Sequence, residues 1–326
     1  MESAWAGSAV PLPWRRLFAS RRAPWDLLRS ADVIEFQWSE MMALAPFVRR
    51  RLPQSLLVGI AHDVITQRWE RASETSASTL QAALFGFAAR RSRRTEAKSF
   101  AALDLLIVFS EKDAQLAREI CPSVRVEVVH PGFEVSLDDA SVEDVGDAVV
   151  LFTGALGRRD NAEAIEWFIE RVWPRIVDQS EGVRLVIAGA SPPPDLQRRA
   201  RLDPSITVTG FVESLSPYYR GASVFIAPLK TGAGVKFKTI EALLHGLPVV
   251  ATPVGAEGVE APDSFLIVRS EASAFAEAVL SELGGRGEVV RSEISEWAKG
   301  VYGIGTFESR LKGLYTSVVA NRAQRY

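Results

Sequence analysis

Three lysines and a glutamate crowd one short stretch, Lys230, Lys236, Lys238 and Glu241, with Gly232 and Gly234 between them. Ammonium groups at that density suit a phosphate or diphosphate, and a carboxylate among them can accept hydrogen bonds from a ligand's hydroxyls. The flanking residues say how these groups are positioned. Val224 to Ala227 is a short, turn-bounded apolar run that reads as a buried strand, and Val235, Ile240, Leu243 and Leu244 recur at helical spacing. His245-Gly246 closes the helix, and Pro248 opens the next strand. Residues 223–253 therefore read as strand, glycine loop, helix, strand. Such a unit aims backbone N–H groups and the positive end of a helix at a ligand above the strand tips. The plainer alternative is a helix with a cationic face and a solvated glutamate.

The composition is that of a water-soluble globular chain, long enough at 326 residues for two domains. Net charge is −2, which argues against a dedicated nucleic-acid binder. No apolar run reaches the ~20 residues that span a bilayer, and no signal-peptide pattern is present. Cys121 is the single cysteine, so no intramolecular disulfide forms, in keeping with a reducing cytoplasm. His62, His130 and His245 lack ligand spacing, so no metal site is expected. Residues 1–135 hold 18 Lys/Arg against 15 Asp/Glu, whereas the remainder holds 20 against 25. Arginines cluster at 15–16, 21–22, 49–51 and 90–94. Those clusters suit either an anionic membrane surface or a set of solvated helix faces.

Residues 1–30 show no clean period. Strands then read at Val33 to Trp38, Leu56 to Ala61, Leu105 to Phe109 and Val126 to Val129, separated by a helical stretch at Met41 to Arg51, a long arginine-rich helix over roughly 70–102 and another helix at Glu111 to Ile120. Residues 135–147 are acidic and poor in large apolar residues, the best linker candidate. A second series follows: strands at 148–153, 183–188, 205–209, 224–227, after Pro248 and at 264–268, with helices between and two more near 288–299 and 306–322. Short apolar strands alternating with helices predict two doubly wound, Rossmann-like parallel sheets, with ligand bound at the strand C-terminal tips in a cleft between domains.

At this point the residues resemble a family. Phe152-Thr-Gly-Ala-Leu156, Asn161, Leu185-Val-Ile-Ala-Gly189, Val208-Thr-Gly-Phe-Val212, Ala227-Pro-Leu-Lys230 and Gly234 through Thr252 occur in the order seen in retaining glycosyltransferases of the large group 1 family, of GT-B architecture. The similarity covers the second domain. Asp32 to Trp38, His62-Asp63, Glu96, Asp104 to Ser110 and Val129 to Glu134 look like later segments of that family's first domain.

The resemblance implies transfer of a sugar from a nucleotide diphosphate donor to a glycan, lipid or small-molecule acceptor, with retained configuration and neither metal nor cofactor. It implies that Glu241 holds the ribose hydroxyls, that the loop around Gly232, Gly234, Val235 and Phe237 offers N–H groups to the diphosphate, and that Lys230, Lys236 and Lys238, with Gly154 and Arg158 or Arg159 nearby, meet the charge on the leaving nucleotide. The nucleobase would lie near Gly210, Phe211 and Val212, and His62 would contact the donor sugar. This sequence departs from the pattern at the first glutamate of the family's pair, which is Ala233, and at a common arginine and lysine, which are Ala155 and Asp160. The four elements that usually precede the segment matching Asp32 do not fit in thirty residues, so a shortened first domain is expected. The expected division is 1–134 for the acceptor-side domain, 135–147 for the linker, 148–305 for the donor domain and 306–326 for a helix returning to the first domain. A cytoplasmic protein, peripheral to the inner membrane face, is expected.

Other readings compete. Ala233 and the short N-terminal region suit a relative that binds nucleotide-sugar or a partner protein without turnover. Gly232-Ala-Gly234 echoes a dinucleotide fingerprint, but its third glycine would be Phe237. A nucleotide-sugar epimerase would share the fold and would need further acid/base groups.

Overall fold

The computed structural model describes residues 16–18, 25–134, 148–284 and 288–323; the expected linker lies outside the described residues. The chain divides into two compact units, one formed by Met1–His130, Ala233–Val235 and Ser309–Tyr326, the other by Pro131–Gly232 and Lys236–Glu308.

Among the described residues the first unit holds helix α1 (Trp25–Arg29), β1 (Val33–Gln37), a 3-10 turn (Met41–Leu44) running into α2 (Ala45–Arg51), β2 (Leu56–Ala61), α3 (Ile65–Glu74), α4 (Thr79–Phe100), β3 (Leu105–Val108), α5 (Glu111–Ile120) and β4 (Val126–Val128). The four strands are parallel, in the order β1-β2-β3-β4. Every residue of β2 and β3 is buried, as helix-covered parallel strands require. Met42, Leu44, Leu57, Phe100 and Leu106 form the centre of this core.

The single helix expected over 70–102 is in fact two. Thr75 and Ser78 explain the break, because short hydroxyl side chains compete with the helical backbone for hydrogen bonds. The Thr75 hydroxyl donates to the Arg71 carbonyl at the end of α3, and Ser78 caps α4 by accepting from the Gln81 N–H. Trp69 and Phe85 stack across the resulting hairpin with ring centres 5.8 Å apart.

The second unit contains β5 (Val149–Thr153), α6 (Arg159–Arg171), α7 (Trp173–Val177), β6 (Arg184–Ala188), α8 (Pro194–Leu202), β7 (Ile206–Gly210), α9 (Ser216–Gly221), β8 (Val224–Ala227), α10 (Phe237–Leu244), β9 (Val249–Ala251), β10 (Leu266–Val268), α11 (Ala272–Leu283) and α12 (Glu288–Tyr302). Its six strands are parallel, in the order β10-β9-β8-β5-β6-β7. Phe152, Phe168, Ile187, Ile226 and Phe275 fill the core. From β5 the chain winds outward through β6 and β7, then returns to lay β8 on the other side. The reversal between β5 and β8 leaves a crevice at their C-terminal tips, where open α/β sheets hold ligands.

Helix α13 (Ile304–Ala323) follows. Its residues from Ser309 onward belong to the first unit, where the Tyr315 hydroxyl donates to the Glu35 carboxylate on β1.

Candidate functional site

The loop after β8 and the start of α10 form the centre of the site. Gly232 and Gly234 take φ of 109° and 73°, values that side-chain-bearing residues avoid, so the loop can turn tightly before the helix begins. Lys236 sits at the N-cap of α10, Lys238 in its first turn and Glu241 one turn later. Lys236 is buried against Glu257, 3.6 Å away, and its N–H donates to the Glu257 carbonyl.

The Lys238 amine reaches to the tip of β5. It donates to Asn161 Oδ1 at 2.7 Å and lies 4.3 Å from the centre of the Phe152 ring. Gly154 makes this reach possible: a Cβ there would stand 2.7 Å from Lys238 Nζ. Desolvation, then the charges of Arg158 and Lys236, push the Lys238 amine down to about 7, against the opposing pull of Glu241 and Asp160.

Glu241 is half-buried and lines a pocket of ≈ 160 Å³ with Phe133, Glu134, Ser214, Ser216, Tyr219 and His245. The buried Tyr219 hydroxyl donates to Glu241 Oε2 at 3.3 Å and contacts the Thr153 hydroxyl at 2.9 Å. His245 stacks on the Tyr219 ring, with centres 4.6 Å apart. Desolvation raises the Glu241 carboxyl above its ordinary value, while the Tyr219 hydrogen bond and the Lys238 charge hold it back. The result is a carboxylate fixed at the wall of a small concavity, within a turn and a half of two lysines.

The remaining expected residues distribute unevenly around this centre. Arg158 is exposed, and its charge reaches Lys238, whereas Arg159 turns to Glu163 at 2.6 Å. The Lys230 amine lies over the Trp167 ring, 4.2 Å from its centre, with Arg171 and Glu271 as its charged neighbours. Phe237 is partly exposed and meets Phe133 edge-on at 5.2 Å. Gly210, at the end of the edge strand β7, lines a separate groove of ≈ 440 Å³ with Pro192, Gln197 and Arg201. Phe211 beside it is 78% exposed, and Val212 is half-buried.

Asp160 accepts a hydrogen bond from the Thr231 hydroxyl at 2.9 Å, which places a second carboxylate beside the loop. Tyr219, Glu257 and Asn161 all touch the expected site residues; Asn161 belongs to the segments that carry the resemblance, whereas Tyr219 and Glu257 do not stand out as site residues in the sequence. Tyr219 is in Pro-Tyr-Tyr-Arg, where nothing but its burial separates it from Tyr218.

In the first unit, His62 follows β2. Trp38, at φ 71°, turns back so that its indole stacks on the His62 ring, with centres 3.8 Å apart and planes 10° from parallel. Phe109 meets the same ring edge-on at 4.9 Å. His62 Nε2 contacts Gln37 Oε1 at 3.4 Å, and its buried Nδ1 has no hydrogen-bond partner among the described residues. Desolvation lowers the imidazole below its ordinary value, against the charges of Asp63 and Glu40. Behind it, the buried Glu96 carboxylate accepts from the N–H groups of Ile65 and Thr66 at 2.8 and 3.1 Å, and so caps α3.

A curated protein of Klebsiella pneumoniae, described as an uncharacterized 44.6 kDa protein in the cps region, is 29% identical over 122 residues, which are 35% of this chain and 31% of that protein. The match thus spans about a third of that relative's length. The structure of Anabaena Alr3699/HepE in complex with UDP aligns with TM-score 0.64 and 14% identity, over 90% of this chain and 80% of that one. Sucrose-phosphate synthase of Thermosynechococcus elongatus aligns with TM-score 0.61 and 18% identity, over 94% and 77%. At such identities the likeness is one of fold, and the fold is the two-domain, Rossmann-like GT-B type. Residues 147–284, which carry the crevice, Lys236, Lys238 and Glu241, match the family described as Glycosyl transferases group 1.

Proposed function

We propose that the chain transfers a sugar from a nucleoside diphosphate sugar to the hydroxyl of a glycan, lipid or small-molecule acceptor. The carrying observation is the joint placement of Lys236, Lys238 and Glu241 on the opening turns of one helix, beside the strand reversal of the sheet. Glu241 holds the ribose hydroxyls, with Tyr219 fixing its orientation. Lys236, Lys238, Arg158 and the loop N–H groups meet the diphosphate, and their charge stabilises the leaving group as the bond to the sugar breaks. The products are the glycosylated acceptor, the nucleoside diphosphate and one proton. Supplied in this way by side chains, the positive charge makes a metal ion unnecessary. Transfer retains the anomeric configuration, and His62 acts on the donor sugar. That a structure of HepE was obtained with UDP-glucose supports the donor class.

Ala233 favours a second reading, in which nucleotide-sugar binds without turnover. Titration calorimetry with UDP-, GDP-, ADP- and dTDP-sugars separates the cases, followed by chromatography for released nucleoside diphosphate. Selective binding with release of the diphosphate supports transfer. Binding with no release, even over days and with added acceptors, supports the second reading. If no nucleotide-sugar binds the folded protein, both are wrong.

A further inference from the structure

Three apolar and three cationic side chains share one exposed stripe of α4. Leu80, Leu84, Phe87, Arg91, Arg94 and Lys98 follow one another at intervals of four, three, four, three and four residues. At ~100° per residue they fall within an arc of about 80°. All six are exposed, with Leu80 at 71%, Leu84 at 57% and Phe87 at 55%. The buried face carries Ala88, Ala89, Ser92, Glu96, Ser99 and Phe100. The stripe is roughly 27 Å long at ~1.5 Å per residue, apolar in its first half and cationic in its second.

A lone exposed leucine is ordinary on a soluble protein. Three large apolar residues in register along the outer face of a helix are not, because that face is normally polar. The exposed charges of α4 are also all of one sign: Arg90 and Arg93 flank the stripe, and the helix's single acid, Glu96, is buried against the start of α3. An acidic protein would satisfy the cations and leave the leucines and the phenylalanine in water, and a neutral apolar groove would do the reverse. An anionic bilayer satisfies both, taking apolar side chains at the acyl boundary and cations at the phosphates.

We propose that the Leu80–Lys98 stripe docks the first unit onto an anionic lipid surface, with Leu80, Leu84 and Phe87 inserted and Arg91, Arg94 and Lys98 on the headgroups. The contact is peripheral, since no helix among the described residues is long and apolar enough to cross a membrane. It is independent of donor binding, and its test uses no nucleotide.

The test is sedimentation of the full chain with vesicles of phosphatidylcholine, alone or with one-third phosphatidylglycerol, at 50 and 300 mM salt. Two variants, L80S/L84S/F87S and R91S/R94S/K98S, are compared with the control R175S/R198S/R201S on the second unit. The exposure of all six stripe residues lets both variants fold, which a circular-dichroism melt checks. The expected result is binding to the anionic vesicles alone, weakened by salt, lowered about 100-fold in the cationic variant, abolished in the apolar variant and kept in the control. No binding to anionic vesicles at low salt would overturn the proposal. So would unchanged binding by the apolar variant, which would reduce the contact to adsorption of charge, or binding to polyglutamate without binding to vesicles, which would assign the stripe to an acidic protein.

Discussion

Lys238 has to be a cation for a diphosphate, yet burial has brought its amine down to about 7. Binding an anion there should therefore draw in a proton whenever the pH is above 7. A nucleotide-sugar is the right probe, because its diphosphate diester does not itself titrate between pH 6 and 9. Its affinity should fall with rising pH, by up to about tenfold per unit above 7. Calorimetry in two buffers of different ionisation enthalpy should show proton uptake at pH 8 that K238M lacks; equal heats in both buffers would contradict it. At Glu241, E241A should weaken nucleotide binding by about 2 kcal/mol, the scale of hydrogen bonds to a charged group. Intact affinity in the folded variant would remove the ribose role. The spacing of lysines, glycines and glutamate exposed this centre in the sequence because it is local: all of it lies within twelve residues. Tyr219 and Glu257 reach it through the fold from other elements, and Lys230, equally local, points instead to Trp167. Side-chain direction depends on packing that spacing does not encode.

Elements were legible where an apolar period was clean. The strands flanking the site and helix α10 stand as their patterns imply, since buried parallel strands are short apolar runs and α10 presents Ile240, Leu243 and Leu244 to the core. The hairpin of α3 and α4 was not legible, because Arg68, Arg71, Arg90 and Arg91 favour helix throughout and the break rests on two hydroxyl side chains. Nor did the sequence show that Glu96 would reach back across this hairpin to cap α3. That cap has a testable cost. Desolvation raises the Glu96 carboxyl from 4.5 to about 7, so the folded state binds its proton more tightly than the unfolded chain does. The resulting stability is full below pH 4.5 and is lost as the pH rises through 7, a difference of ~3 kcal/mol. Urea unfolding at pH 5 and 8 should show that dependence reduced in E96Q relative to the parent chain, and parallel behaviour of the two would refute it.

At the scale of the molecule, the two alternating series of strands separate the cores legibly, one around Leu57 and Leu106, the other around Phe152 and Phe168. The acidic stretch between them gives no further information, being outside the described residues. Tyr315 joins the first unit through a bond to Glu35 that no local pattern announces. Y315F should lower the stability of that unit by about 1 kcal/mol, the usual worth of one hydrogen bond, and leave nucleotide binding by the second unit unchanged. A common loss in both would mean that the units unfold together. The same bond spans 280 residues of chain. At a synthesis rate of roughly 5–20 residues per second, Glu35 is made about 15–60 s before its partner. For that interval the strand β1 and its neighbours must persist without the helix that later contacts them, while the whole second unit emerges and folds. A chaperone that shelters the nascent chain would meet the first unit as a complete four-stranded sheet that still lacks its last helix.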